Sequence, residues 1–447
     1  MVSAFCVLDT RPLPRLTAAA HSPERVASAG NPYNRPMEPA VTDRQRIPDH
    51  PGSYTPDPTV TIVRCPDYDP ERVKAAVVEA LDALGGMAGV VRPGERIALK
   101  PNLLLPQSPD ACITTHPAVV EAVAREVQEA GATPVFLESP AAALPSTPAA
   151  ITRLYRKTGL LDVAQRLGIE VCTELEPVAV SHTEGVLVKR LDVLAPLLKV
   201  DGLISLPKFK THYFMVFTGA VKNLFGLVPG LAKPGYHAKL DDPGRFADML
   251  LDISTFVRPR LTVMDAVMGL EGDGPGTAGR PRWIGAVVAG RDPVAIDVAC
   301  CRIGGFDPRL VPVLVAAARR GWWRPEADWP PLNGASPEEL KADGLALPGR
   351  RRDAAGFGRL FRLQDMLVRL ARGALTPRPR PKEGRCIACR TCERACPRGA
   401  ITVRDGLARV DDGRCIRCYC CHEMCPVAAI DVEFSGMGRV MHTLRLV

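Results

Sequence analysis

The chain has 447 residues, 46% hydrophobic and 5% aromatic, an ordinary globular composition long enough for two to three domains. Its formal net charge is +8, and the eleven basic and three acidic residues of segment 350–385 account for all of it. A charge confined to one connector, without a nucleic-acid-binding motif, argues against a nucleic-acid partner. No apolar run approaches the ~18 residues of a membrane helix, so we expect no transmembrane segment.

The first 58 residues are rich in Pro, Ala, Ser and Arg and show neither helical nor strand periodicity. This pattern predicts a disordered N-terminal extension over residues 1–58. The stretch contains no apolar signal-peptide core. Met37 is an alternative start, which leaves open whether residues 1–36 are translated. The cysteines outside the motifs described below form no disulfide framework, so we expect a cytoplasmic protein.

Residues 59–320 alternate short apolar strands with helical stretches. This alternation predicts an α/β fold with a Rossmann-like layered sheet covered on both faces. The predicted strands are 59–65, 96–100, 134–138, 201–206, 260–265 and 284–290. The predicted helices are 70–84, 117–130, 243–257 and 293–303.

Polar side chains follow four of these strands. Open α/β sheets bind their ligands beyond the carboxyl ends of the strands, so the four strand ends predict one shared site. The candidate catalytic residues are Lys208, Lys210, His212 and Lys222. The candidate substrate-binding residues are Lys100, Asn102, Asn223, Asp265 and Glu271.

The residue types at these strand ends indicate what the site would bind. The lysines would neutralise a carboxylate or phosphate, so we expect an anionic small molecule, with His212 and Lys208 as proton donors or acceptors. The carboxylates of Glu138, Asp265 and Glu271 would either hold a divalent cation or balance the lysines. The stretch EGDGPGTAG lacks the G-K-[ST] of a P-loop and predicts a sharp connection between two strands.

Residues 321–383 are predicted to form a basic linker that contains an amphipathic helix within 358–375. The helix would place four leucines on one stripe, namely Leu360, Leu363, Leu367 and Leu370. It would pack the two domains together, with peripheral membrane contact or partner docking as alternatives.

Two similar cysteine-rich stretches lie near the end of the chain, CIACRTCERACP at 386–397 and CIRCYCCHEMCP at 415–426. Both have the spacing C-x2-C-x2-C-x3-C-P, the bacterial ferredoxin pattern in which the fourth cysteine ligates the other cluster. We therefore predict a small α+β ferredoxin-like domain over 384–447 with two [4Fe–4S] clusters. Cluster 1 would be held by Cys386, Cys389, Cys392 and Cys425, and cluster 2 by Cys415, Cys418, Cys421 and Cys396.

Haem and zinc are the alternative cofactors for these cysteines. Cys418 to His422 fits the C-x-x-C-H of haem attachment, but the first stretch has Glu393 in place of the histidine. A zinc ribbon uses two cysteine pairs separated by a spacer, whereas each stretch here supplies three cysteines within seven residues. Cys420 aligns with Thr391, and we interpret it as a spare thiol.

The large domain resembles the family called domain of unknown function 362. The resemblance lies in KPN at 100–102, LPKFKTH at 206–212, TGAVKNLFG at 218–226, GLEGDGPGTAG at 269–279 and AGRDPVAID at 289–297. It covers residues 60–310 and 384–432 and implies an iron–sulfur protein with an α/β domain of unsettled activity. ESP at 138–140 departs from the family's GDSP-like sequence, which weakens a role for Glu138.

These patterns favour an iron–sulfur oxidoreductase that passes electrons between a redox partner protein and an anionic small molecule. One alternative is a non-enzymatic electron carrier or assembly factor that uses the α/β domain for docking. Another is a metal-dependent transferase or ligase in which the clusters are structural. The substrate, the cluster potentials and the oligomeric state stay open.

Overall fold

The computed structural model describes residues 56–141, 144–230, 232–240, 242–325, 329–340, 342, 344–349 and 377–433. The N-terminal extension, apart from residues 56–58, and the basic helix predicted within 358–375 lie outside the described residues. In the part of the chain that the structure describes, no helix is long and apolar enough to cross a membrane.

The large domain is built on a mixed β-sheet. Its strands are β1 (Val60–Arg64), β2 (Arg96–Pro101), β3 (Thr133–Phe136), β4 (Glu170–Val171), β7 (Gly202–Leu206), β8 (Lys208–His212), β9 (Val216–Phe217), β10 (Leu261–Gly272), β11 (Gly279–Gly290) and β12 (Leu332–Gly334). The order is β12-β1-β11-β10-β7-β2-β3-β4, with β8 paired to β10 and β9 to β8. A separate antiparallel pair consists of β5 (Pro177–Ser181) and β6 (Arg190–Leu194).

Helices pack against this sheet and bury their apolar faces in one continuous core. In three of them, Pro70–Asp82, Pro243–Val257 and Pro293–Ile303, the first residue is a proline. The aspartate before that proline accepts a hydrogen bond from the first turn, an arrangement that fixes the helix start. The series is α1 (Pro70–Asp82), α2 (Pro117–Glu129), α3 (Pro148–Lys157), α4 (Leu160–Leu167), α5 (Gly219–Asn223), α6 (Lys233–Lys239), α7 (Pro243–Val257), α8 (Pro293–Ile303) and α9 (Pro312–Arg319).

The predicted strands and helices of the large domain are present, but three features differ from the prediction. The segment after β7, for which the sequence analysis predicted no strand, forms the strand β8. The last two predicted strands extend towards each other as the antiparallel hairpin β10–β11, whose tip is the predicted glycine-rich connection. The sheet also continues past residue 320, because β12 pairs with β1. A three-residue edge strand is too short to give a sequence signal.

The small domain has the ferredoxin-type arrangement of short strands and helices. Its elements are β13 (Arg378–Pro381), α10 (Thr391–Ala395), β14 (Ile401–Arg404), β15 (Leu407–Val410), α11 (Cys420–Glu423) and β16 (Ile430–Glu433). β13 pairs with β16, so the domain begins before the predicted boundary at 384. The proline-rich RPRP of β13 suits an edge strand, where proline is tolerated.

The tip of the β10–β11 hairpin connects the two domains. The Thr277 hydroxyl donates to the Cys425 carbonyl at 2.6 Å, and the Tyr213 and Tyr419 rings lie edge to face with centroids 4.8 Å apart. A Cβ added at Gly276 would lie 2.3 Å from the Glu423 carbonyl oxygen. Glycine at 276 therefore allows the close approach of the two backbones.

Candidate functional site

A cavity of about 100 Å³ lies where the strand ends of the large domain meet α11 of the small domain. This volume is several times the minimum for one buried water, so a small organic molecule fits. We call it the lysine cavity. Its walls include Lys100, Asn102, Glu138, Ser139, Lys210, His212, Thr218, Lys222, Asn223, Phe225, Gly226, Lys233, His237, Cys420, Glu423 and Met424.

Lys100 is fully buried and forms an ion pair with Glu138. Its Nζ also donates to Asn223 Oδ1 at 3.1 Å and to the Pro101 carbonyl at 2.9 Å. Burial lowers the pKa of Lys100, and the Glu138 carboxylate opposes that shift. A Cβ at Gly226 would lie 2.1 Å from Glu138 Oε1, so this glycine leaves room for the pair. The charges of Lys100 and Glu138 therefore balance within the protein.

Lys210 is held by an amide chain that links it to the Lys100 pair. Its Nζ donates to Asn102 Oδ1 at 2.7 Å and to the Ile113 carbonyl at 2.8 Å. Asn102 Nδ2 donates in turn to Asn223 Oδ1 at 3.0 Å. Burial lowers the pKa of Lys210 well below its ordinary value, and the nearby charges of Lys222 and other lysines lower it further. No carboxylate is within ion-pair distance of Lys210 among the described residues.

Lys222 projects from the short helix α5, which α8 fixes in place. Asp297 of α8 accepts hydrogen bonds from the backbone N–H groups of Ala220 (2.5 Å) and Val221 (3.2 Å). Lys222 is partly buried, and burial lowers its pKa while Glu423 opposes the shift. Its Nζ lies 5.9 Å from the Phe225 ring centroid and makes neither a hydrogen bond nor an ion pair to a described residue. The ammonium is thus available to a ligand.

His212 and Glu423 face each other across the domain boundary. His212 Nδ1 accepts from the backbone N–H groups of Phe214 (3.1 Å) and Met215 (3.3 Å), which leaves the proton of the neutral ring on Nε2. That Nε2 lies 3.5 Å from Glu423 Oε1. Burial lowers the pKa of His212 well below 6.5, and burial raises the pKa of Glu423 to about 7.

Several buried polar atoms at the cavity have no hydrogen-bond partner in the described structure. They are His212 Nε2, Thr218 Oγ1, His237 Nδ1 and Glu423 Oε1. Buried polar atoms are nearly always satisfied in proteins, so four such atoms around one cavity indicate a polar ligand or ordered water. Lys233 adds a further ammonium, and burial lowers its pKa to about 8.

The predicted cluster cysteines form two groups in the small domain. Cys386, Cys389, Cys392 and Cys425 line one small cavity, and we call them the first thiol set. Cys396, Cys415, Cys418 and Cys421 line another, the second thiol set. Each set takes three cysteines from one stretch and the fourth from the other, as the ferredoxin pattern requires.

The backbone around the two thiol sets fits [4Fe–4S] clusters. Ala388 and Arg390 have left-handed φ values of 52° and 58°, and the aligned Arg417 and Tyr419 have 59° and 61°. Such alternation of backbone conformation forms the concave N–H arrangements found at iron–sulfur sites. The Ala400 N–H donates to Cys396 Sγ at 3.1 Å, and the Ala429 N–H donates to Cys425 Sγ at 3.0 Å.

Comparison with known proteins agrees with both parts of this architecture. Residues 97–302 match the family model described as domain of unknown function (DUF362), and residues 385–429 match a 4Fe-4S dicluster domain. The chain is 34% identical over 291 residues to the thylakoid-associated protein sll1697 of Synechocystis sp., covering 65% of this chain and 88% of the relative. The chain belongs to the DUF362 family. It is an iron–sulfur protein with a ferredoxin-type domain. The resemblance to the DUF362 family that the sequence indicated is confirmed.

The similarity to a solved structure is weak. The lactate racemase apoprotein from Thermoanaerobacterium thermosaccharolyticum aligns with a TM-score of 0.34 and 11% identity. The match covers 57% of this chain and 59% of that chain. These values are too low to support an inference about function.

The structure brings six of the predicted large-domain residues to the lysine cavity of this DUF362 protein, namely Lys100, Asn102, Lys210, His212, Lys222 and Asn223. Lys208 and Asp265 lie elsewhere. They form a buried ion pair at 2.8 Å, to which the Tyr68 hydroxyl is hydrogen-bonded. Glu271 accepts from Arg280 and from the Ala346 N–H. These three side chains are occupied by protein partners, so they are not available to a ligand in the cavity.

The predicted divalent cation has no support in this structure. Each of the carboxylates proposed to hold it, Glu138, Asp265 and Glu271, is paired with a lysine or an arginine. Apart from the two thiol sets, no group of three histidine, cysteine, aspartate or glutamate side chains in the described ranges could hold a metal ion. The carboxylates instead serve the second role that the sequence suggested, which is to balance cations.

Sequence reasoning missed several residues at the cavity. Lys233 and His237 lie on α6, a helix without a strong periodic signal. Cys420, Glu423 and Met424 come from the second cysteine stretch, where the first stretch has Thr391, Arg394 and Ala395. That difference between the two copies was a usable signal, because residues needed only to hold a cluster should be shared by both.

Proposed function

We propose that this DUF362 protein is an iron–sulfur oxidoreductase that passes electrons through two [4Fe–4S] clusters to an anionic small molecule in the lysine cavity. One observation carries the proposal. Cys420 and Glu423 line the cavity, and they lie on the same short helix as Cys421 of the second thiol set. The second thiol set is therefore separated from the cavity by side chains of a single helical turn.

The charge balance of the cavity supports an anionic ligand. Glu138 pairs with Lys100, and Glu423 is the carboxylate that acts on Lys210 and Lys222. Lys233 donates to the Ser139 and Pro140 carbonyls, and its charge is opposed by the same Glu138, so the lysines of the cavity outnumber its carboxylates. Burial lowers the pKa of Lys210, Lys222 and Lys233. An anion favours the charged form of a neighbouring lysine, so anion binding should raise these pKa values and take up protons.

His212 is suited to bind an oxygen atom of the ligand. Its Nδ1 is committed to two backbone N–H groups, so the Nε2–H has a fixed direction towards the side of the cavity where Glu423 lies. Burial keeps the ring neutral near pH 7 by lowering its pKa. A neutral, preoriented N–H stabilises negative charge that develops on a ligand oxygen without reorganisation of solvent.

Lys233 supplies a group that exchanges protons near neutral pH, with a pKa of about 8. Proton transfer is most effective when the pKa of the donor lies near the working pH. The clusters, when bound, supply electrons one at a time, and the cavity residues supply charge, hydrogen bonds and protons. We place this activity in the reducing cytoplasm, where cluster thiolates persist.

The proposal is tested with full-length protein purified and reconstituted without oxygen. Malonate and inorganic phosphate serve as small-anion probes, and calorimetry in buffers of different ionisation enthalpy measures affinity and proton uptake. The wild-type protein should bind a probe with proton uptake, and co-purified anions should appear in mass spectra. Lys222→Met should weaken binding by at least ~10-fold, the size of one lost charge-assisted hydrogen bond.

The matched control is Lys199→Met, which removes an exposed lysine and should bind like wild type. Iron and sulfide content should be the same in all three proteins. Reversible reduction of the clusters without anion binding in the wild type would contradict the proposal and favour the electron-carrier or assembly-factor alternative. Equal affinities of Lys222→Met and wild type would show that the ligand lies elsewhere.

A further inference from the structure

The surroundings of the two thiol sets differ in exposure at two aligned positions, although the sequences of the two stretches repeat. In the first stretch Cys389 and Arg390 are exposed, whereas the aligned Cys418 and Tyr419 are buried. The large domain accounts for the difference, because Tyr419 packs against Tyr213 at the domain boundary. The helix that carries Cys421 of the second thiol set thus lines the lysine cavity, whereas Cys389 of the first thiol set is open to solvent.

The surface over the first thiol set has an apolar centre. Ile387 and Val427 line the same cavity as the four thiols and are 60% and 38% exposed. They are two of the five large hydrophobic residues that are exposed in the described part of the chain. Single exposed apolar residues are common, but two beside one cofactor site mark a contact surface.

Basic side chains lie beside this apolar centre. Arg390 lines the same cavity as Ile387 and Val427, and Arg385 directly precedes Cys386 in the chain. The Arg385 and Arg390 side chains are 63% and 62% exposed, and their nearest carboxylates are at 4.0 Å and 3.5 Å. Long pairs between exposed groups bind weakly, so most of this positive charge remains available to a partner.

We propose that the surface formed by Arg385, Ile387, Arg390 and Val427 is the docking site of a small acidic electron-carrier protein. A small apolar centre with a charged rim is typical of brief electron-transfer complexes, which bury little area and rely on charge for a fast encounter. The carrier must be a redox protein because the first thiol set, with Cys389 exposed, is the natural point of electron exchange with another protein. The basic rim requires that the facing surface of the carrier be acidic.

This inference rests on the proposed electron flow through the clusters, but its test does not involve the lysine cavity. Full-length reconstituted protein is mixed in a stopped-flow instrument with a reduced, acidic [2Fe–2S] ferredoxin, and cluster reduction is followed by absorbance with no anion added. Arg385→Glu and Arg390→Glu should each slow the second-order reaction by roughly tenfold at low ionic strength. The difference should vanish near 1 M salt, where the screening length is about 3 Å.

Three comparisons make the result decisive. Arg153→Glu makes the same charge change on an exposed face of α3 and should react at the wild-type rate. Photoreduction by a deazaflavin needs no docking and should reduce all variants to the same extent. Basic cytochrome c, used as acceptor for the reduced protein, should react faster with Arg390→Glu than with wild type.

The inference is overturned if Arg385→Glu and Arg390→Glu react with the acidic carrier at the wild-type rate. It is also overturned if Arg153→Glu slows the reaction equally, because the effect would then come from net charge. A negative stopped-flow result does not bear on the proposal that Lys222 binds an anion. A negative calorimetry result does not bear on the proposed docking surface.

Discussion

Replacing Lys208 and Lys222 by methionine, one at a time, should change the free energy of unfolding in different ways. Lys208 Nζ lies 2.8 Å from Asp265 Oδ2, and both side chains are almost completely buried. Lys208→Met leaves the Asp265 carboxylate buried without its counter-ion, and breaking a buried pair costs about 3–5 kcal/mol. The Tyr68 hydroxyl and the backbone N–H of His116 still donate to that carboxylate, at 2.8 Å each. We therefore expect a loss near the lower end, about 3 kcal/mol.

Lys222→Met should have no such cost. Lys222 makes no hydrogen bond or ion pair to a described residue, and burial lowers its pKa, so its ammonium is already in an unfavourable environment. Methionine retains a flexible apolar chain of similar length and removes the desolvated charge. We expect a free energy of unfolding within about 0.5 kcal/mol of the wild-type value, or slightly above it.

Thermal unfolding without oxygen, followed by far-ultraviolet circular dichroism, measures both effects. A loss of about 3 kcal/mol should lower the Tm of the large domain by roughly 6–12 °C in Lys208→Met. Lys222→Met and the exposed-lysine control Lys199→Met should unfold at the wild-type temperature. An equal drop in Lys208→Met and Lys222→Met would refute the reasoning, because it would mean that Lys222 also carries a structural ion pair.

Three further predictions concern the clusters, the cavity and the domain contact. Cys421→Ser should lose about half of the bound iron, whereas the adjacent Cys420→Ser should keep it, as iron and sulfide analysis would show. Anion affinity should fall above pH 8, because Lys233 with its pKa of about 8 then loses its charge, and should rise below pH 7, because Glu423 with its pKa of about 7 then becomes neutral. The folded pKa of Lys233 lies below that of the unfolded lysine, so this group adds to stability as pH rises from about 8 to about 10.5. Gly276→Val should abolish anion binding and retain the clusters, because its side chain meets the Glu423 carbonyl and separates the domains.

Local patterns were sufficient to predict most of the large domain. The helices α7 and α8 begin at an aspartate followed by proline, and a cap of this kind is readable from two residues. The strands of the sheet interior are short apolar runs of the expected length. The two features that local patterns could not supply, β8 and the pairing of β12 with β1, depend on neighbours distant in the chain.

The candidate site was predicted in part for the same reason. A lysine at a strand end has the same local signature whether it binds a ligand or an internal carboxylate. Lys208 and Lys222 both fitted the pattern, but Lys208 has Asp265 as partner, 57 residues away along the chain. Only the folded structure shows which cations are balanced by the protein, and the unbalanced ones remain for a ligand.

The two cysteine stretches contain information that the separate motifs do not. The positions that both copies share include the cysteines and the prolines that follow them, which the clusters require, and the isoleucine after the first cysteine (Ile387 and Ile416). The positions that differ have different surroundings in the two copies. In the second copy Tyr419 packs against the large domain and Glu423 lines the lysine cavity, while in the first copy Arg390 remains in solvent. If both clusters had equivalent roles, nothing would favour opposite surroundings for them. The divergence between the copies is therefore what we expect of a module with one face for a carrier protein and one face for a bound anion.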